Sequence, residues 1–367
     1  MSRIDDLIAE LCPGGVPFRK LSSLAKVKRG SKPDRLESTS DVVRVPVAGA
    51  GRSFLGWTDV ANSPAGSITI SSHGYPGFVT FWSEEFWQGN NVFLLSELDG
   101  RIIPRFLYFV LKGDEKRINS LSSVGGVPYL NASTLLAWRV PVPPLEVQWE
   151  IVRVLDQFTQ LEAELEAELE ARRRQYDFYR ERLLFSSNQG RVELLGDIAA
   201  IGTGSHDTKD AVPFGEYPFF ARGREPLALD EFDFEEAAII TAGDGVGVGR
   251  VFHFVEGKYA LHQRAYRIVP HGSVHARYLY HYLVCDFARY LVRTSVHASV
   301  TSLRRPMFLN YPVRIPPPGE QRRVADSLDK FEALTMDLST GLPAELAARR
   351  KQYEYYRDKL LTFERAA

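Results

Sequence analysis

Residues 172–184 read RRRQYDFYRERLL, and residues 349–361 read RRKQYEYYRDKLL. At a constant offset of 177, eight of these thirteen positions are identical, and the other five exchange one basic, acidic or aromatic residue for another. Upstream of each stands a second matching pair, VPVPPLEVQWEIVRVLDQF at 140–158 and VRIPPPGEQRRVADSLDKF at 313–331. Seven of its nineteen positions are identical at an offset of 173, among them Pro143/Pro316, Pro144/Pro317, Gln148/Gln321, Leu155/Leu328, Asp156/Asp329 and Phe158/Phe331. A fainter pair opens each half: FRKLSSLAKVKRG at 18–30 and VELLGDIAAIGTG at 192–204 bring Leu21 to Leu195, Leu24 to Ile198 and Gly30 to Gly204. Similarity recurring in order at a near-constant offset marks an internal repeat. Each half is a variable block followed by a preserved one.

The preserved blocks predict long helices. Each opens on Pro-Pro, which cannot continue an upstream helix but can start one. Leu155, Phe158, Leu165, Leu169, Tyr176, Tyr179 and Leu183 then fall at helical spacing. From Gln148 to Leu184 this makes about 55 Å of helix at ~1.5 Å per residue, the length of a coiled-coil strut. The second copy repeats the stripe with Leu328, Phe331, Leu334, Leu338, Leu346, Tyr353, Tyr356 and Leu360. It carries four extra residues near Gly341-Leu342-Pro343, where a break or kink is expected. The variable blocks hold short β-rich runs at 67–71, 78–82, 92–95, 237–241 and 250–255, with helix-like stretches at 103–111 and 274–291. Each reads as a compact α+β globule.

Composition excludes several classes. The 367 residues are 44% apolar and 25% charged, ordinary globular usage. Cys12 and Cys285 form no metal-like cluster or disulfide framework, so a reducing cytoplasm fits. No apolar run predicts a signal peptide or a membrane span. Gly243–Gly249 has glycine at every second place and matches no nucleotide-binding loop, so it reads as a turn. Asp244 with Glu256 and Lys258 makes only a weak nuclease pattern, and His271 with His275 lacks a third zinc ligand.

The alternation of variable and preserved blocks resembles the specificity (S) subunit of type I restriction–modification systems. PPLEVQ/PPPGEQ followed by Leu-Asp-x-Phe, and GLPAELAARRKQYEYYRDKLLTF, carry the resemblance. It implies an α+β chain with two α/β target-recognition globules, separated by two long antiparallel helices that form a coiled-coil spacer, as a pseudo-two-fold internal repeat. Residues 1–139 (with a short N-terminal helix) and 191–312 would be the recognition domains, and 140–190 and 313–367 the helical spacers. The first spacer departs in lacking Gly-Leu-Pro. The implied function is a non-catalytic, cytoplasmic subunit that reads a bipartite, asymmetric target in double-stranded DNA. It would dock two modification subunits and, through them, restriction subunits. S-adenosylmethionine and ATP would sit on those partners, with no cofactor or metal on this chain. A related two-subunit cut-and-methylate system is one alternative, and a coiled-coil protein-interaction scaffold is another.

Phosphate contacts call for Arg and Lys, and base contacts for Arg, Asn, Gln or His on rigid turns. The phosphate candidates are Lys26, Lys28, Arg29, Lys32 and Arg52 in the first half, and Arg222, Arg224, Arg250, Arg304 and Arg305 in the second. The base-reading candidates are Gln88, Asn90, Asn91, His262, Gln263 and Arg264, with loops 72–75 (His73) and 244–250 in comparable places. Spacer and partner-docking candidates are Gln148, Leu155, Phe158, Leu165, Leu169, Tyr176, Tyr179, Gln321, Leu328, Phe331, Tyr353 and Tyr356. Trp57, Trp82 and Trp87 are expected in the core. The tandem tetrads LEAE-LEAE-LEAR at 161–172 suit a ruler, since one tetrad is ~6 Å of helix.

The net charge of −1 hides an uneven distribution. Residues 19–52 hold nine Lys/Arg against three Asp/Glu, and residues 250–310 hold nine against two. Acids gather instead in the tetrads and in 225–236. Two basic lobes and an acidic strut are compatible with a nucleic-acid partner.

Overall fold

A computed structural model describes residues 3–39, 44–51, 53–123, 126–186, 190–245, 247–294, 302–336 and 341–366. It divides into two compact units, one of residues 1–165 and 346–367 and the other of residues 166–345.

The first unit begins with α1 (Arg3–Leu11) and holds β1 (Phe18–Lys20), β2 (Lys26–Arg29), β3 (Val45–Ala48), β4 (Gly56–Thr58), β5 (Ser67–Ser71), β6 (Val79–Trp82), β7 (Trp87–Gln88) and β8 (Val92–Ser96). Helices α2 (Pro104–Gly113), α3 (Glu115–Asn119) and α4 (Ala132–Leu136) follow, then β9 (Arg139–Pro141) and the start of α5 (Leu145–Phe185). Strands β2-β8-β5-β6 make an antiparallel sheet, and β4-β3-β7 a smaller one in which β3 and β7 run parallel. β1 pairs with β9, closing the globule next to the helix that leaves it.

The second unit takes the rest of α5, then β10 (Arg191–Leu194), α6 (Leu195–Ile198), β11 (Ala199–Thr203), β12 (Tyr217–Phe220), β13 (Leu227–Leu229), β14 (Phe234–Ala242), β15 (Phe252–Leu261) and β16 (Ala265–Pro270). Helices α7 (Ala276–Thr294) and α8 (Arg305–Leu309), strand β17 (Pro312–Ile315) and α9 (Pro318–Met336) complete it. The same plan recurs, with β10 on β17 and a sheet ordered β11-β16-β14-β15-β12-β13. One difference is instructive. β15 is a single strand that pairs antiparallel with β14 and parallel with β12. In the first unit Ser83-Glu84-Glu85 interrupts the equivalent path, leaving β6 and β7 in separate sheets.

The preserved residues explain the shared plan. Leu21 and Leu195 are fully buried at equivalent points, as are Leu155 and Leu328. Pro144 and Pro317 each supply the first carbonyl of a spacer helix, accepting from Gln148 N and Gln321 N at 3.1 Å. α5 is continuous for 41 residues, so the first preserved block is one long helix. The second is two helices, α9 and α10 (Leu342–Leu361). A Cβ on Gly341 would lie 2.6 Å from the Ala333 carbonyl oxygen, so this glycine lets the chain close against the end of α9. Residues 337–340, which include Leu338 of the expected stripe, lie outside the described residues. In the first unit α5 and α10 run antiparallel, with Arg350 on Glu162 at 2.6 Å and Phe158 stacked on Tyr356 at 5.5 Å.

Candidate nucleic-acid interface

In the first globule, backbone hydrogen bonds gather loops from distant parts of the sequence. Ser31 N donates to Gln88 O, Ser72 N to Asn91 O, Tyr75 N to Ala50 O and Leu130 N to Ser72 O, all at 2.8–3.1 Å. Gly30 makes the first approach possible, since a Cβ there would meet Gln88 O at 2.3 Å. Of the candidates in this cluster, Lys28, Arg29, Lys32 and Asn90 are exposed and Asn91 half-buried. Arg29 donates to the Tyr129 hydroxyl at 3.2 Å. The His73 ring lies 4.6 Å from that of Tyr129, and its Nδ1 is 2.9 Å from Ser72 Oγ. Lys26 is held by Glu97 at 2.5 Å. Gln88 is buried, and its amide donates to Lys28 O at 2.7 Å and Val92 O at 3.1 Å, so it ties β2 to β8. Arg52 lies outside the described residues. Trp82 is buried, stacked on Phe86 at 4.2 Å, while Trp57 and Trp87 are half-buried.

The second globule builds the same cluster from different side chains. Gly243 N donates to Arg264 O at 2.8 Å and Leu303 N to Gly243 O at 2.7 Å, answering the bonds of Ser72 with Asn91 and Leu130. Gly204 takes the part of Gly30, since a Cβ there would sit 1.8 Å from Leu261 O. Asp233 Oδ2 accepts from Leu261 N at 2.7 Å, just as Asn62 Oδ1 accepts from Gln88 N at 2.6 Å. His73 and Asp244 each make an isolated bridge, to Tyr129 and Ser302.

Arg222, Arg224, Arg250, Gln263, Arg264, Arg304 and Arg305 are exposed. Gln263 donates to Asp207 at 3.0 Å, and Asp244 holds both Arg222 and Arg264. His262 is buried, and its Nδ1 accepts from Arg264 N at 2.9 Å. Burial, helped by the Arg222 charge, lowers its pKa and favours the neutral ring that can accept this bond. In the loop 244–250, Val246 lies outside the described residues.

The weaker sequence patterns are not assembled into sites. Glu256 pairs with Ala237 on β14, whereas Asp244 follows the far end of that strand. From Ala237 to Ala242 the strand rises about 17 Å, so the two carboxylates cannot share an ion. His275 Nδ1 accepts from Tyr278 N at the start of α7. His281, Asp329 and Glu332 have ligand atoms close enough for a metal ion, but Arg277 donates to both carboxylates and supplies the positive charge there.

The spacer residues fasten each globule to its helix. Gln148 Nε2 donates to Arg101 O and Pro143 O, and its Oε1 accepts from Ile103 N, each at 2.8 Å. Gln321 repeats all three bonds with Ser273 O, Pro316 O and His275 N. Asp156 accepts from Arg105, whose guanidinium lies over Phe81 and Tyr108. Asp329 likewise accepts from Arg277, which lies over Phe254 and Tyr280. Leu155, Leu169, Tyr176 and Leu328 are buried, whereas Phe158, Leu165, Phe331 and Tyr353 are half-buried. Phe158 packs on Tyr353 and Tyr356, and Tyr179 stacks on Phe331 at 5.8 Å. Burial pushes the hydroxyls of Tyr176 and Tyr353 up to about 12. Three exposed aromatics were missed: Trp149, Phe178 and Tyr355, at 61%, 58% and 63% exposure. Phe178 and Tyr355 occupy the same place in RRRQYDFYRERLL and its copy, off the buried stripe, and that coincidence was the available signal.

A family model described as the type I restriction modification DNA specificity domain matches twice, over residues 13–171 and 192–348. The chain is 28% identical over 375 residues to a type I restriction enzyme specificity subunit of Escherichia coli, covering 88% of each. It is 28% identical over 306 residues to a putative type I restriction enzyme specificity subunit of Haemophilus influenzae, covering 76% of this chain and 77% of the relative. Its fold is similar to the crystal structure of the S subunit of a type I restriction–modification system from M. genitalium, with a TM-score of 0.65 at 18% identity, over 94% of this chain and 95% of that one. No helix among the described residues is long and apolar enough to cross a membrane.

Proposed function

Because the chain belongs to the type I restriction–modification DNA specificity family, we propose that it is the non-catalytic subunit that reads a bipartite, asymmetric DNA target. Residues 1–139 and 191–312 each read one half-site. Residues 140–190 and 313–367 hold two modification subunits and, through them, restriction subunits. S-adenosylmethionine and ATP belong to those partners. The modification subunits turn a base out of each half-site and methylate it.

One observation carries this reading. The two loop clusters share the backbone hydrogen bonds that tie Ser72 to Asn91 and Leu130, and Gly243 to Arg264 and Leu303, and differ in nearly every exposed side chain. A shared frame with unlike contact groups suits one polymer read at two unlike sequences. The exposed cations Lys28, Arg29 and Lys32 in one cluster, and Arg224, Arg304 and Arg305 in the other, suit phosphate contacts. The partner surface is marked by the exposed aromatics Phe178 and Tyr355 at equivalent places, as a partner present in two copies requires.

The test is to express the chain with its modification subunit in an unmethylated host and read the methylated motif. A split, asymmetric motif with a fixed spacer is expected, along with sequence-dependent binding that weakens with salt. Binding without sequence preference would overturn the reading. Removing residues 165–168 shortens α5 by ~6 Å, just under two base-pair steps of ~3.4 Å. The spacer of the motif should change with both half-sites preserved; an unchanged spacer with full activity would remove the ruler role.

A further inference from the structure

The glycine-rich run beginning at Gly243 has a use that its sequence pattern does not announce. Its Asp244 carboxylate stands between guanidiniums from two separate strand ends. Arg222 follows β12 and reaches Oδ1 at 3.1 Å, while Arg264 lies in the turn from β15 to β16 and reaches Oδ2 at 3.1 Å. Each oxygen takes one arginine. The loop lies close to both backbones only because it lacks side chains where it meets them. A Cβ on Gly243 would be 2.5 Å from Arg264 O, and one on Gly247 would be 2.9 Å from Arg222 O. Arg264 is further pinned by its own amide, which donates to the buried His262 ring. The carboxylate is a quarter exposed, and the two arginines are more open, at 45% and 62%. Burial alone would raise the pKa of Asp244, but the hydrogen bonds from Arg222 and Arg264 outweigh it and keep the group ionised.

We propose that Asp244 is a positioning residue that holds Arg222 and Arg264 as a paired reader of guanine in the half-site met by the second globule. The inference rests on the DNA-recognition reading above. A guanidinium carries five donors in a rigid fork, and one is spent here on Asp244. The others are left to meet O6 and N7 of guanine, the acceptor pair a fork fits. A free arginine must lose rotamer freedom to do this, and the carboxylate removes much of that freedom beforehand. It also reduces the charge of the group from two positives to one, which weakens indiscriminate phosphate binding. Among the described residues of the first globule the equivalent places hold no such triad. His73 occupies the place of Asp244, Ala50 that of Arg222 and Asn91 that of Arg264. The effect is therefore confined to one half-site.

The experiment uses the full chain assembled with its modification subunits and compares methylated motifs and duplex binding. In Asp244→Asn, discrimination at one or more G·C positions of one half-site should fall about tenfold or more. The other half-site and the spacer should not change. Binding to duplexes lacking the motif should tighten, and its salt dependence should steepen by about one counterion. Asp244→Glu should retain the motif. Should Asp244→Asn fail to assemble, Arg264→Lys keeps the charge and loses the fork, and the same position should relax. A motif that survives both substitutions, or a loss spread evenly over both half-sites, overturns the proposal. A wild-type complex with no split motif would sink the DNA-recognition reading itself, whereas a wild-type motif indifferent to these substitutions sinks only the role of Asp244.

Discussion

The two globules of this chain place their central loops with two matching backbone hydrogen bonds and present different chemistry on them. Where the first offers a His73–Tyr129 ring pair and Asn91, the second offers two arginines on a carboxylate. The pairing of Ser72 with Asn91 and Leu130, repeated by Gly243 with Arg264 and Leu303, uses only main-chain atoms. The lesson is that a frame made of backbone atoms leaves its side chains free to vary. Between the opening stretches of the two globules the matching positions are few, with Leu21 answering Leu195 and Gly30 answering Gly204.

If the frames are equivalent, matched substitutions must have matched effects. The largest effect is expected at the paired glycines. Gly204→Ala forces a Cβ to within 1.8 Å of Leu261 O, and Gly30→Ala to within 2.2 Å of Gly89 O. Each should cost about 3 kcal/mol, with loss of amide protection limited to its own globule in hydrogen exchange. A mild effect at either glycine would break the equivalence of the frames.

Next come Gln148→Ala and Gln321→Ala, each of which strips partners from two carbonyls and an amide. A loss of about 2 kcal/mol is expected for each, measured by denaturant unfolding. Values differing by much more than their errors would show that the two joints are not the same device.

The smallest effect should separate the halves. Burial would raise the pKa of Asp329, but the hydrogen bonds from His281 and Arg277 outweigh it and lower the carboxyl to about 2. A depressed folded-state pKa gives stability that is complete above the unfolded value and fades as pH falls from about 4 to about 2. Asp329→Asn should flatten the pH dependence of stability in that window. If the acid slope of the second unit is unchanged in the variant, this pair is not what sets it.

Much of the fold was legible, the helices of the preserved blocks from the repeat and the elements of the variable blocks from local patterning. The run 67–71 is β5 itself, and 103–111 and 274–291 fall on α2 and α7. The proline pair and the apolar stripe located α5 to within three residues at its start. The comparable places of loops 72–75 and 244–250 were legible, but not the hydrogen bonds that join Ser72 to Asn91 and Gly243 to Arg264, since main-chain bonds leave no mark on residue type. Gln88 and His262 show the same limit. Their polarity and position put them in the gathered loops, but no pattern tells that both side chains turn inward. Asp244 was visible as part of a candidate loop and as a weak nuclease signal, but not as a partner of two arginines, because these are 22 and 20 residues away and follow other strands.

The glutamine joint has a consequence for inheritance. Gln148 and Gln321 grip the carbonyls of Arg101 and Ser273 and the amides of Ile103 and His275, and none of these bonds involves a side chain of the globule. The glutamine itself is therefore indifferent to side-chain identity in the globule, and the side-chain part of the joint is left to Arg105 on Asp156 and Arg277 on Asp329. A foreign globule that brings a carbonyl and an amide to those two places meets the same fitting. In such an exchange the two glutamines would keep their bonds without any change in the helices that carry them.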